Sequence, residues 1–274
     1  MDDEIMGRLT QRCANCGHAV ESPLLMGTSE TNFCSVCDEV RYQRLQHQAL
    51  ERQQHLLDHL RRMRIASATG IPLQYRGLTW DDFKYDRGGV NNRKRVQAFQ
   101  QWSNDFPVDR IPHGVTSLLI ASPNNGVGKT MLGCLILQDL LNRYEEVVPE
   151  KAPFQFWTVD DVRLRIESAR RFSSKETMED VYRDFATMRL LILDDVGKEK
   201  LVGYDAAEAY PMYFTILNKR YSNRLPVVLT SNLTYQPWEP DGFCLTDLIG
   251  RAAASRLMEM TDGVVYIIEG EDRR

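Results

Sequence analysis

Pro123-Asn124-Asn125-Gly126-Val127-Gly128-Lys129-Thr130 follows the apolar run Ser117-Leu118-Leu119-Ile120-Ala121 and precedes Met131-Leu132-Gly133-Cys134-Leu135-Ile136-Leu137. A strand that ends in a glycine-containing turn and then opens a helix at Gly-Lys-Thr is the architecture of a nucleotide phosphate site. Backbone N–H groups of the turn and of the helix N-terminus converge on phosphate oxygens. Lys129 supplies a point charge to the β- and γ-oxygens, and the Thr130 hydroxyl can ligate Mg²⁺. Pro123 stands where the usual pattern has its first glycine, but Gly126 and Gly128, the positions nearest the phosphates, are kept. The expected nucleotide contacts are Asn125, Gly126, Val127, Gly128, Lys129, Thr130 and Met131.

Two further strand ends carry matching chemistry. Leu190-Leu191-Ile192-Leu193-Asp194-Asp195 reads as a buried parallel strand with acids at its carboxyl end, where α/β sheets place their sites. Asp194 is expected to hold Mg²⁺ through the metal's waters, and Asp195 to polarise the water that attacks the γ-phosphate. Pro226-Val227-Val228-Leu229-Thr230 runs into Ser231-Asn232-Leu233, and Asn232 can orient the same water. Near the end, Gly250-Arg251-Ala252-Ala253-Ala254-Ser255-Arg256-Leu257 opens or continues a late helix. An arginine there can reach a neighbouring subunit's γ-phosphate and stabilise transition-state charge. Arg256 is favoured, with Arg251 as the second candidate.

The 274 residues suffice for one sizeable core and a small second domain, and 43% hydrophobic with 26% charged residues is an ordinary globular balance. A formal charge of −4 argues against wholesale wrapping of nucleic acid while leaving room for a local basic patch. No apolar run reaches the length of a membrane span, and the start MDDEIMGRLT has no secretory signal pattern. A cytoplasmic location is expected, where cysteines stay reduced.

Four of the six cysteines stand as Cys13-x2-Cys16 and, after 17 residues, Cys34-x2-Cys37. That is the two-knuckle spacing of a tetrahedral thiolate site, read as structural Zn²⁺ against an iron–sulfur site, a disulfide pair or chance. Gly17, Pro23 and Gly27 suit the turns of such a ribbon. Residues 1–38 are expected to form the zinc ribbon, 39–69 a linker helix bearing Val40, Leu45, Ala49, Leu56, Leu60 and Met63, and 70–274 the ATPase domain. The aromatic stretch with Tyr75, Trp80, Phe83 and Tyr85 is expected to pack on the core. Beyond it, strands and helices alternate, which means a parallel sheet covered by helices on both faces. One helix is expected over Val162 to Phe172, and Leu245 to Met260 is expected to be helical.

The order of these features resembles the bacterial helicase loaders of the DnaC/DnaI type and is similar to the related transposition ATPases of the IstB type. GIPLQYRGLTWDDF, GVGKT, LLILDDVGKEK, LTSNL and SRLMEM carry the resemblance. It implies an AAA+ ATPase without the usual helical lid, whose subunits associate side by side around DNA with ATP at their interfaces. It implies a replicative hexameric helicase and single-stranded DNA as partners, with the zinc region gripping the helicase. The IstB-type alternative implies assembly on duplex DNA and control of a transposase. The family places DNA contacts near Arg163, Arg170 and Arg171, which cluster with Arg165 and Lys175 on or just after a helix whose apolar face is read as Val162, Ile166, Ala169 and Phe172.

Overall fold

The strand that leads into the phosphate turn, Leu118–Ala121, pairs parallel with Val227–Ser231, as an α/β reading requires. In the computed structural model, which describes residues 9–13, 15–22, 34–87, 90–144, 153–197, 206–237 and 242–271, the chain divides into two units, Met1–Leu60 and Arg61–Arg274. The division falls within one long helix.

The first unit holds a hairpin of β1 (Leu9–Arg12) and β2 (Ala19–Ser22), paired antiparallel with Leu9 opposite Ser22 and Arg12 opposite Ala19. Helix α1 (Ser35–Ala68) follows. Within this unit the α1 side chains of Val40, Leu45, Leu56 and Leu60 are each more than half exposed. Pro23 and Gly27 lie outside the described residues.

In the second unit a short hairpin, β3 (Asp86–Arg87) with β4 (Val90–Asn91), precedes α2 (Arg93–Asp105). The central strands are β5 (Leu118–Ala121), β6 (Phe154–Thr158), β7 (Leu190–Val196), β8 (Val227–Ser231) and β9 (Tyr266–Ile267). They form one parallel sheet in the order β6-β7-β8-β5-β9. Alternating strand residues feed two cores. Leu118, Ile120, Ile192 and Val228 pack with α2, with α3 (Lys129–Arg143) and with buried Ile71 and Phe83. Leu119, Leu191, Leu193 and Leu229 pack on the other face, with α4 (Val159–Ala169), α5 (Met178–Thr187), α6 (Ala206–Ser222), α7 (Leu245–Ile249) and α8 (Arg251–Met260). This is the expected arrangement of a parallel sheet between two helical layers. Tyr75, Trp80 and Tyr85 pack against the first core, as their aromatic character predicts.

Two helices depart from expectation. Helix α4 starts at Val159 because the Thr158 hydroxyl accepts the Asp161 N–H and caps it, and it ends at Ala169. Phe172 therefore lies in the following turn at 108% relative exposure, not on the helix's apolar face. The helix expected over 245–260 is two helices broken at Gly250, whose φ of 80° and ψ of 151° no helical residue adopts. A Cβ on Gly250 would lie 2.2 Å from Tyr210 Cε2, so glycine is required by space as well as by backbone angle.

Candidate functional site

The loop between β5 and α3 turns twice into the left-handed region, at Gly126 (φ 65°) and at Gly128 (φ 99°). Glycine meets this requirement without steric cost. At Gly128 a Cβ would also sit 2.8 Å from Phe83 Cε2, so the aromatic segment before the sheet supports the loop from behind. Gly128 is the N-cap of α3, which begins at Lys129, so the helix N-terminus opens at the loop. Residues 126–131 line a pocket with Tyr75, Asp195, Thr230 and Asn232. Asn125 is exposed beside this pocket and does not line it.

Lys129 is 7% exposed, and its Nζ donates to the carbonyls of Asn124 at 2.8 Å and Ser122 at 3.3 Å. The ammonium is thus already aimed along the loop.

Behind the loop the two acids have separate environments. Asp194 is 3% exposed; its Oδ2 accepts the Thr130 hydroxyl at 3.0 Å and its Oδ1 the Thr230 hydroxyl at 2.6 Å. Burial pushes its carboxyl up to about 6; the two hydroxyls and Lys129 pull the other way, and the Asp195 charge adds to the rise. Thr130 and Asp194 together offer the oxygen donors that a hard divalent cation takes.

Asp195 has φ 65°, and the ladder to β8 shifts register between Leu193 and Val196. This bulge turns Asp195 out into the pocket instead of continuing the strand's alternation. Its backbone N–H donates to Thr230 Oγ1 at 3.0 Å, and its Oδ1 accepts from Asn232 Nδ2 at 2.7 Å. The pair Asp195–Asn232 can accept a proton from, and orient, a water between them and a bound phosphate. Thr230 ties both acids together. Sequence reading missed it because threonine is ordinary strand chemistry, and its role depends on β8 lying beside β7. Tyr75, which reads in the sequence as a packing residue, also lines the pocket.

The arginine candidates do not line this pocket. Arg256 stacks over Phe214 at 5.1 Å and Tyr221 at 6.0 Å and donates to Ala252 O at 3.3 Å. Arg251 is exposed at the start of α8, directly after the Gly250 break. Of the proposed DNA residues, Arg163 pairs with Glu167 at 3.8 Å, while Arg170 and Arg171 are exposed beyond α4. Arg165 belongs to the structure instead: it bonds Glu176 and Asp184 and stacks on Trp157 and Phe185.

In the first unit the Sγ atoms of Cys13, Cys16, Cys34 and Cys37 all lie within 4.8 Å of one another. The Cys16–Cys34 separation is 3.5 Å. A tetrahedron of thiolates about 2.3 Å from a zinc ion has edges of about 3.8 Å, so the cluster fits such an ion with small adjustments. The first knuckle is closed by Cys13 N–H to His18 O at 2.8 Å and by Gly17 N–H to Cys13 O at 3.0 Å, with Gly17 at φ 73°. Backbone amides, that of Cys34 first and then those of Cys16 and Asn15, draw the Cys13 thiol down to about 6. Asn15 Nδ2 donates to Cys37 Sγ at 3.5 Å, a support of the kind that orients ligating sulfur. Among the described residues no helix is long and apolar enough to cross a membrane.

The parallel sheet, the glycine turn on the α3 N-terminus and the acids at the end of β7 define a P-loop α/β protein of the AAA+ class. A family model described as "IstB-like ATP binding protein" matches residues 35–264. The chain belongs to this family of ATP-binding proteins, and it is an ATPase. Among solved structures it is similar in fold to the DnaC helicase loader, with 17% identity and a TM-score of 0.50 over 72% of this chain and 100% of that one. The DnaI structure gives 20% identity and a TM-score of 0.50 over 72% and 93% of the two chains. Domain III of the Thermotoga maritima replication initiation protein DnaA gives 16% and 0.50 over 74% and 70%. No curated protein matches.

Proposed function

We propose that this ATPase is a switch that loads a replicative hexameric helicase onto single-stranded DNA. The observation that carries the reading is a full hydrolytic set, Lys129, Thr130, Asp194, Asp195 and Asn232, in a chain whose separate first unit presents a cysteine cluster and outward leucines on α1. A dedicated partner-gripping module is what a loader needs and a simple ATPase does not. Cys13, Cys16, Cys34 and Cys37 would hold Zn²⁺ as a closed structural site. Thr130 and Asp194 would hold Mg²⁺, which when bound neutralises charge on the β- and γ-phosphates. Lys129 and the N–H groups of residues 126–131 bind the triphosphate, and Asp195 with Asn232 aligns and deprotonates the attacking water.

Because neither Arg256 nor Arg251 lines its own chain's pocket, transition-state charge is met from a neighbour in a side-by-side assembly. Arg256 is the proposed finger, and Arg251, the more exposed of the two, is the alternative. Replacing each by alanine separates them: loss of stimulated turnover with ATP binding intact marks the finger. On the DNA side, fully exposed Phe172 between Arg171 and Lys175 favours single strands, since a solvent-facing aromatic ring flanked by cations stacks unpaired bases.

The family match itself favours a second reading, an IstB-like ATPase that assembles on duplex DNA and regulates a transposase. ATPase assays separate the two. Turnover is expected to be slow for the chain alone and to rise about ten-fold or more with helicase and single-stranded DNA. Stimulation by duplex DNA only, with assembly on it, selects the second reading.

A further inference from the structure

Helix α3 is apolar and buried from Leu132 to Leu137, and the next residue is Gln138, 8% exposed. A buried amide among leucines is costly unless both its ends are satisfied. Both are. Gln138 Nε2 donates to Tyr75 O at 2.9 Å, and Gln138 Oε1 accepts the Gly77 N–H at 2.5 Å. The amide therefore grips the main chain on either side of Arg76, whose own Nε closes the same turn onto Ile71 O at 2.8 Å. Gly77 sits at φ 79° with open space around its Cβ position, so glycine is there for the backbone angle that presents its N–H to Gln138.

The residue held in this way, Tyr75, is the aromatic side chain lining the phosphate-loop pocket. The loop, the lysine and the two acids account for the triphosphate. A planar base needs an aromatic or apolar surface to stack on, and among the residues that line the pocket Tyr75 is the aromatic one, beside apolar Val127 and Met131. We propose that Gln138 is a positioning residue for nucleotide recognition: from inside α3 it fixes the Tyr75 turn against the nucleoside end of the pocket. Affinity for the nucleoside then depends on Gln138, while affinity for the triphosphate does not. This rests on the reading of the pocket as a triphosphate site.

The test compares Kd for Mg·ATP and for Mg·inorganic triphosphate by calorimetry, in the full-length protein and in Gln138→Leu, Gln138→Glu and Tyr75→Ala. In the unsubstituted protein ATP is expected to bind more tightly than triphosphate. Gln138→Leu is expected to weaken ATP about five- to ten-fold, as the loss of a buried hydrogen-bonded anchor does, and to leave triphosphate within about two-fold. Tyr75→Ala, which keeps both backbone hydrogen bonds, should give the same split, and Gln138→Glu, which keeps only the Gly77 acceptor, an intermediate one. If Gln138→Leu does not fold, as judged by circular dichroism, the other two variants decide the matter. Equal losses for both ligands would reduce Gln138 to a general support of the loop, and no loss for either would remove its role; both overturn the proposal. An unsubstituted protein that binds neither ligand would instead overturn the triphosphate reading beneath it.

Discussion

Thr230 is a small residue with a large reach. Its hydroxyl donates to buried Asp194 and accepts the N–H of Asp195, so one oxygen sets the positions of two carboxylates with different roles. Thr230→Val is expected to lower kcat about ten- to a hundred-fold with little change in KM for ATP, and Thr230→Ser to restore most of it. Steady-state kinetics of the two variants checks this; an unchanged kcat in the valine variant contradicts it. Asp195→Asn should keep ATP affinity while turnover falls at least about a hundred-fold, because the proposed acceptor of the water's proton is gone. Away from the site, Arg220 is fully buried and bonds the carbonyls of Phe185, Met188 and Pro226. Burial pulls its guanidinium down to about 9. It caps the end of α5 and pins the start of β8, so Arg220→Met should cost about 3 kcal/mol or more of unfolding free energy, measurable by urea denaturation.

At the scale of elements, the breaks matter as much as the helices. Gly250 separates α7 from α8 and sets where Arg251 and Arg256 point. Gly250→Ala would place a methyl group against the Tyr210 ring at a backbone angle alanine avoids, and is expected to destabilise the fold by about 2 kcal/mol or more. A thermal melt unchanged from the parent protein would contradict that. This break was not legible in the sequence, because one glycine in a helical pattern carries only a weak local penalty and the Tyr210 contact is long-range. The phosphate turn, by contrast, was readable, since strand, glycines, lysine and threonine are contiguous and each has its own local reason. The acids were readable as a pair, but the bulge that separates their environments was not, since it follows from how β7 and β8 pair. Phe172 fits the periodicity of α4, yet the helix ends three residues earlier and leaves the ring in solvent. Phe172→Ala is expected to weaken single-stranded DNA binding several-fold while leaving ATP affinity unchanged, as loss of one stacking platform does; fluorescence anisotropy with a labelled oligonucleotide reads it directly.

At the scale of the molecule, the chain joins an ATPase of known architecture to a small unit built around four cysteines. That unit has little apolar core among its described residues, so a bound metal is expected to supply much of its folding free energy. Whether ATP controls capture of a helicase through this cysteine unit is read by size-exclusion chromatography with light scattering. The protein is mixed with its host's replicative helicase, in ATP and in ADP. A stoichiometric complex that forms in ATP and fails when Cys34 and Cys37 are replaced by serine is the predicted result. No complex with helicase, alongside ATP-driven assembly on duplex DNA, would contradict it and assign the chain to transposition.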